Sequence, residues 1–478
     1  MNKKDLGAFY TPKHTAAYMI NLLSNFDKTS KVLEPCGGDG AFVSAILEKN
    51  LLAPRQITVW DINPEVKNYI DKLGVEFELK DTLLQTTFRK NDLFNTINKF
   101  THILGNPPYL NKQSGYIKKN KKELKKFYRE IGANDTYSLF IYLCGHLLED
   151  NGQLCFITSD TYLTLGIHKK LRNYLLRNFT IKSITLCPQN LFKDAGALVN
   201  TAIINLSNRN PGNNSIVFND CRDLAPGNYN GKKYYVKQNR LLGYPDYVFD
   251  FNRHGRLLKK IENAERLIDF VDGGLGMHTT NNEKFLGIID YNGARYAKGE
   301  AKRIVPITEL NTGNWRFYHK RGGNTKYYLP AEHCIKWDKQ ARKNYKMPKN
   351  YAVDDKRQGF LISGICSTLS ARLATVGALW ESNKAMCFFP REPRKYPPEF
   401  FIGILNSEIY NKIIKILNHT NSIQIRDIKK LPFFDFNTKD IGQITKIAKS
   451  IIKQKQANLN YDFSFEQSRI NKIVNKYF

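Results

Sequence analysis

The sequence predicts an α/β protein whose first half is built on a parallel sheet. Two observations carry that expectation. From residue 30 to about 205, short β-branched runs alternate with longer amphipathic stretches, the rhythm of strands joined by right-handed helical crossovers. The main glycine- and proline-bearing loops of that stretch follow strands, and the carboxyl ends of strands are where such sheets bind ligands.

The elements follow in order. A first helix is expected over His14 to Leu23, with Thr11 of Phe9-Tyr10-Thr11-Pro12 as a natural N-cap. Lys31-Val32-Leu33 reads as a strand, broken by Cys36-Gly37-Gly38-Asp39-Gly40. Ala41 to Lys49 has helical spacing through Phe42, Ala45 and Ile46. Ile57 to Trp60 is a second strand and Pro64 to Leu73 a second helix. Thr101 to Leu104 is a third strand, ending at Asn106-Pro107-Pro108-Tyr109. Tyr137 to Leu148 reads as a helix, Gln153 to Thr158 as a buried strand, and His168 to Asn178 as a helix with Leu171, Leu175 and Leu176 on one face. Ile184 to Leu186 and Leu198 to Leu206 complete the strands. Lys112 to Arg129 is a basic insertion, either a mobile loop or partly helical. Residues 207–231 turn rich in Asn, Gly and Pro, and a domain boundary is expected a little later, near 240. Beyond it short strands mix with Gly-Asn turns, and the C-terminal segment regains helical spacing through Ile441, Ile444, Ile447, Ile451 and Ile452.

A chain of 478 residues, 42% of them hydrophobic, is long enough for two domains with real cores. Its formal net charge of +29 costs self-repulsion in the compact state and points to a polyanionic partner. Residues 251–478 carry 40 Lys and Arg against 21 Asp and Glu, and this excess is interleaved with Tyr, Trp and Phe. Eight scattered cysteines form no CxxC pair, which argues against a zinc site and against a disulfide framework; no metal is expected. No apolar run approaches the ~20 residues of a membrane span, and the first residues form no signal-peptide core. A soluble, intracellular protein without a membrane partner is expected.

Three loops carry chemistry. Glu34-Pro35-Cys36-Gly37-Gly38-Asp39-Gly40-Ala41-Phe42 is a strand-to-helix turn whose glycines admit a ligand close to the backbone. Its carboxylates would repel a pyrophosphate and favour a cation. S-adenosyl-L-methionine, with an amino group and a sulfonium, fits better than NAD or ATP. Asp61, at the tip of the second strand, can accept both hydroxyls of a ribose. Alternatively Asp61 or Asn63 caps the helix that starts at Pro64. Asp92, with Leu93 beside it, can accept from an adenine amino group; Asp81 is the competing choice.

Asn106-Pro107-Pro108-Tyr109 is the sharpest feature. The lone pair of an adenine amino nitrogen is delocalised into the ring, so two acceptors must hold its hydrogens and aim the lone pair at a methyl group. The Asn106 side-chain oxygen and the Pro107 carbonyl can do so, on a backbone stiffened by two prolines. Tyr109 offers a ring for an extruded base, worth ~1–3 kcal/mol in such contacts, because a base must leave the duplex to be reached. Phe192 either closes the other face of that base or is a core aromatic under a hairpin.

With these motifs in this order, the chain resembles the TaqI-like, gamma-class N6-adenine DNA methyltransferases of restriction–modification systems. The likeness includes Phe9-Tyr10-Thr11-Pro12, the acidic glycine loop, the Asn106 motif, the run Asn134 to Phe140, and the Phe192 region. It implies a Rossmann-like S-adenosylmethionine-dependent methyltransferase domain over residues 1–240 and a mixed α+β target-recognition domain over 241–478. It implies that Thr11 and Glu34 contact the methionine moiety within a loop that includes Pro35, Gly38 and Gly40. Asp61 would contact the ribose, and Asp92 with Leu93 the cofactor adenine. Asn106, Pro107, Pro108 and Tyr109, with Phe192 beside them, would act on the target base. The implied partners are double-stranded DNA and a cognate restriction endonuclease, for a monomer in the cytoplasm at the nucleoid. Residues 311–328 and 366–373 are the expected duplex contacts. The same catalytic loop also serves methylation of protein glutamine and ribosomal RNA, and a catalytically inactive DNA-binding homologue is a further alternative. Asp354-Asp355-Lys356 has no nuclease partners and reads as a solvated turn.

Overall fold

The structure, a computed structural model, describes residues 9–84, 99–193, 199–250, 255–297, 303–310, 314–348, 351, 356–418 and 422–478. The chain divides into two units, Met1–Gly255 and Arg256–Phe478.

The first unit is organised by Val32–Glu34 (β1), buried along its length. It pairs in parallel with Ile57–Asp61 (β2) on one side, and β2 pairs in parallel with Glu76–Leu79 (β3). On the other side β1 pairs in parallel with Phe100–Gly105 (β4), which pairs in parallel with Leu148–Ser159 (β5). Beyond β5 the expected parallel pattern is corrected. Thr201–Ser207 (β7) lies between β5 and Thr180–Leu186 (β6), antiparallel to both. A parallel return needs a crossover, usually a helix; the described residues between β6 and β7 carry no α-helix, and the chain turns back antiparallel. Ser215–Asp220 (β8) and Lys232–Lys237 (β9) then extend the edge, giving the order β3-β2-β1-β4-β5-β7-β6-β8-β9. The Asn/Gly/Pro-rich stretch therefore contains a strand, β8. The α/β class expected from the alternation is observed, as is the Rossmann-like fold that the resemblance implies.

Helices cover this sheet. Lys13–Leu22 (α1) and Ala41–Glu48 (α2) share a core with β1 and β2 through Ala16, Met19, Ile20, Phe42, Val43 and Ile46. Two expectations are corrected. Thr11 is not the N-cap: Pro12 occupies that position, and its carbonyl accepts from the Thr15 and Ala16 amides. The helix foreseen over 64–73 is one α turn, Lys67–Ile70 (α3), between 3-10 turns Pro64–Val66 and Asp71–Leu73. Val66 and Ile70 are its buried anchors, with Leu73 partly buried against the same core, and Gly74 ends it in the left-handed region at φ 67°.

The basic insertion is helical. Gly115–Lys119 (α4), capped by the Ser114 hydroxyl, is followed by Lys121–Phe127 (α5). Thr136–His146 (α6) is buried through all but its last residue, and Lys169–Asn178 (α7) buries Leu171, Leu175 and Leu176 as its spacing predicts.

The second unit holds a four-stranded antiparallel sheet and a five-stranded mixed sheet. The isoleucine spacing near the C-terminus belongs to a helix, Thr438–Ala457, whose Ile441, Ile444, Ile447, Ile451 and Ile452 are buried. Helix Pro398–Leu405 lies on it at Gly403, where a Cβ would come within 2.6 Å of Ile444 Cγ2. No described helix is long and apolar enough to cross a membrane.

Candidate active site

Strands β1 to β4 run parallel, so the residues that follow them gather at one edge of the sheet. There a cavity of about 550 Å³ is lined by Thr11, Glu34, Asp61, Asp81, Asn106 and Pro108, among others. Pro35 and Gly38 also form its wall, whereas Gly40, Pro107, Tyr109 and Phe192 stand outside it.

The loop after β1 needs its glycines. Gly38 (φ 55°) and Gly40 (φ 74°) are left-handed, and Gly40 forms the N-terminal cap position of α2. The Gly38 amide donates to Asp61 Oδ2 at 3.2 Å and the Asn63 amide to Asp61 Oδ1 at 2.8 Å. The capping role falls to Asn63, whose side chain accepts from the Glu65 amide ahead of Pro64. Asp61 is thereby oriented along the cavity wall rather than used up as a cap.

Glu34 is buried, and its Oε2 has no hydrogen-bond partner among the described residues. Burial, reinforced by the nearby Asp39 and Asp61, pushes its carboxyl well above the usual range. Burial also raises Asp61 and Asp81. Three carboxyls held in one partly dry cavity disfavour their own ionisation and favour a cation among them.

Asp81 follows β3 and accepts from the Tyr116 hydroxyl at 2.8 and 2.9 Å and from the Leu83 amide at 3.0 Å. Asp92 and Leu93 lie outside the described residues. Asp81, which follows β3, lines the cavity wall.

The catalytic-loop candidate is fixed at three points. Asn106 Nδ2 donates to the Phe9 carbonyl at 2.7 Å, and because a carbonyl only accepts, this sets the amide's orientation. Its Oδ1 is buried and has no hydrogen-bond partner among the described residues. Thr136, the first residue of α6, donates its hydroxyl to the Pro108 carbonyl and exchanges backbone and side-chain bonds with Leu110. Tyr109 lies with its ring 5.7 Å from Phe9, 6.3 Å from Tyr137 and 6.5 Å from Phe192. Its hydroxyl is buried without a partner among the described residues, and burial raises its pKa. Phe192 is 2% exposed and belongs to the core, while also touching Phe9. Its burial matches the core reading of Phe192, and its ring stands beside the Asn106 loop.

Phe9, Tyr116 and Thr136 contribute what the sequence did not assign. Phe9 acts through its backbone carbonyl, which leaves no residue-type signal. Tyr116 reaches Asp81 across 35 positions, beyond any local pattern.

The expected duplex contacts fare differently. Residues 311–313 lie outside the described residues. Arg372 is 2% exposed and donates to the Arg321 carbonyl at 2.6 Å, while Lys320 is buried against Glu381. These two cations serve as internal struts, because a buried charge needs partners within the fold.

Residues 45–192 match the family described as Eco57I restriction-modification methylase. The Type II methyltransferase M.HincII of Haemophilus influenzae is 28% identical over 189 residues, 38% of this chain and 34% of the relative. The Type II methyltransferase M.AccI of Acinetobacter calcoaceticus is 29% identical over 234 residues, 47% of this chain and 40% of the relative. The matches thus span less than half of either relative's length. In fold, the chain is similar to the Type IIL restriction-modification enzyme MmeI solved in complex with DNA, with TM-score 0.62 and 14% identity over 99% of this chain and 72% of that one. It is also similar to the chain of the DrdV–DNA complex, with TM-score 0.57 and 14% identity over 94% and 57%. The likeness to restriction–modification methyltransferases expected from the motifs is borne out.

Proposed function

We propose, for a chain that shares the restriction-modification methylase family over residues 45–192, that it transfers a methyl group from S-adenosyl-L-methionine to adenine N6 of a base flipped out of duplex DNA. The observation that carries this reading is the unpartnered Oδ1 of Asn106 beside a cavity walled by carboxyls. An acceptor held by its own amide partner, with nothing to accept, suits an amino hydrogen of a substrate.

The residues fit the cofactor. Glu34 offers an unpartnered oxygen to a cationic group, the Gly38 backbone passes close by, Asp61 lines the wall with both oxygens oriented, Asp81 lies on the same wall, and Asp92 with Leu93 takes the adenine role that the resemblance gives it. S-adenosyl-L-methionine supplies an electrophilic methyl group. The chain's residues then do the positioning: Asn106 Oδ1 and the Pro107 carbonyl accept the two amino hydrogens, Pro108 stiffens the loop, and Tyr109 stacks on the base. This is catalysis by orientation and preorganised hydrogen bonding. Thr11 lines the same wall, and Phe192 backs the aromatic cluster.

Double-stranded DNA is the favoured acceptor over ribosomal RNA or a protein glutamine because of the strongly basic second half, residues 241–478, read as the target-recognition domain. A cognate restriction endonuclease, a monomeric state and a place at the nucleoid complete the proposal. Expression in a methylation-deficient host, followed by sequencing of the DNA for modified bases, tests it. Methyladenine at one short motif supports the reading; clean DNA alongside modified RNA or protein refutes it.

A further inference from the structure

The α4–α5 segment follows the Asn106 loop directly and is both anchored and highly charged. Residues 112–129 carry eight basic residues and one acidic one. Ile117, Leu124 and Tyr128 are buried beneath it, the Tyr128 hydroxyl donates to the Leu83 carbonyl at 3.0 Å, and Tyr116 grips Asp81. Lys119 and Asn120, at the joint between the two helices, belong to the wall of the cavity.

Helix geometry sorts the charges. With Leu124 facing inward, Lys122 and Lys126 fall on the opposite side and Lys125 on one flank, while Glu123 takes the other. In α4, Ile117 faces inward, Tyr116 turns to Asp81 and Lys118 lies on the flank away from Tyr116. All of these lysines are exposed. None of Lys118, Lys122, Lys125 and Lys126 forms an ion pair with a described residue. A folded element has no need of so many like charges on one side, since they repel one another; a polyanion relieves that repulsion.

We infer that α4–α5 is a phosphate clamp: its outward lysines hold the sugar–phosphate backbone of the strand whose base enters the cavity. The inference rests on the proposed function, and it places a DNA contact in the catalytic unit, separate from the target-recognition half. Anchoring matters here, because a flexible basic loop would add attraction without position. A strand held next to Lys119 and Asn120 is held at the border of the cavity that its base must enter.

The test uses the full chain and a labelled random-sequence duplex of about 30 base pairs, because phosphate contacts are independent of sequence. The variant K118Q/K122Q/K125Q/K126Q leaves the cavity-lining Lys119 in place. Its log-affinity against log-salt plot is expected to be shallower by roughly 2–3, with about tenfold or greater loss of affinity near physiological salt. The corresponding four Lys→Arg substitutions should restore the slope. The thermal shift caused by S-adenosyl-L-methionine should be the same in wild type and both variants. An unchanged slope and affinity in the Gln variant overturns the clamp while leaving the proposed function standing. Wild-type protein that binds no duplex, or that prefers an RNA hairpin, overturns both.

Discussion

Asn106 is tied to Phe9: its Nδ2 donates to the Phe9 carbonyl at 2.7 Å, so that Oδ1 is left as the free end of the amide. This arrangement separates the two halves of one side chain into a structural donor and a chemical acceptor. Replacing Asn106 by Ala removes both, and kcat is expected to fall by about 100-fold or more, the scale of losing one preorganised polar group. Asn106→Asp keeps an acceptor but turns a carboxylate toward the Phe9 carbonyl. It should lose activity and melt at a lower temperature than Asn106→Ala. Steady-state methyl transfer and thermal denaturation check the pair.

Glu34 gives a pH dependence with a defined sign. Its folded-state carboxyl is raised by burial and by Asp39 and Asp61, so the folded cofactor-free protein keeps a proton that the unfolded chain has released. Its contribution to stability therefore falls as pH rises from the ordinary carboxylate range through the raised value. A bound cation favours the ionised form, so cofactor binding should release a proton and tighten as pH rises toward the raised carboxyl range. S-adenosylhomocysteine, whose sulfur is uncharged, should show a shallower trend, and Glu34→Gln should flatten it. Calorimetric titrations in buffers of different ionisation enthalpy read the proton directly; pH-independent affinity would count against the charge assignment.

The Tyr116–Asp81 pair predicts a split between binding and turnover. Tyr116→Phe removes the hydroxyl that spans both Asp81 oxygens at 2.8 and 2.9 Å. Loss of a hydrogen bond to a partly buried carboxylate costs about 1–2 kcal/mol. The expected result is a several-fold higher KM for the cofactor with kcat nearly unchanged, because Tyr116 positions Asp81 and does not meet the reacting nitrogen. An equal fall in kcat would place it in the chemistry instead.

Tyr109 separates ring from hydroxyl. Its oxygen is buried without a partner, so Tyr109→Phe deletes an unsatisfied polar atom and should leave stability equal or higher. Activity should stay close to wild type. Tyr109→Ala removes the stacking surface and should cost about 1–3 kcal/mol in base engagement, seen as roughly 10- to 100-fold lower kcat/KM.

What the sequence made legible was local and chain-contiguous. The β1 loop, the tip of β2 and the Asn106 motif after β4 each announce themselves by residue type at a strand end, and parallel pairing brings them to one edge. The spacing in the C-terminal helix is equally direct. What escaped depends on the tertiary structure. The position of β7 between β5 and β6 is a choice of pairing, not of propensity. Thr11 looked like a cap because its type suits the job, yet the helix starts at Lys13, one residue too late for it. Arg372 and Lys320 read as surface cations in a basic stretch, but long-range partners hold them inside. The Tyr116 hydroxyl that holds Asp81 on the cavity wall is distant in sequence, and no local pattern announces it.

The central claim is methyl transfer to adenine N6 by the Asn106 loop. The most direct measurement incubates purified protein with S-adenosyl-L-methionine and unmethylated DNA, then hydrolyses the DNA to nucleosides for mass analysis, with Asn106→Ala in parallel. Wild type should yield N6-methyldeoxyadenosine as the sole new nucleoside, and Asn106→Ala almost none. Methylated cytosine, no methylated nucleoside at all, or equal product from Asn106→Ala would contradict the account.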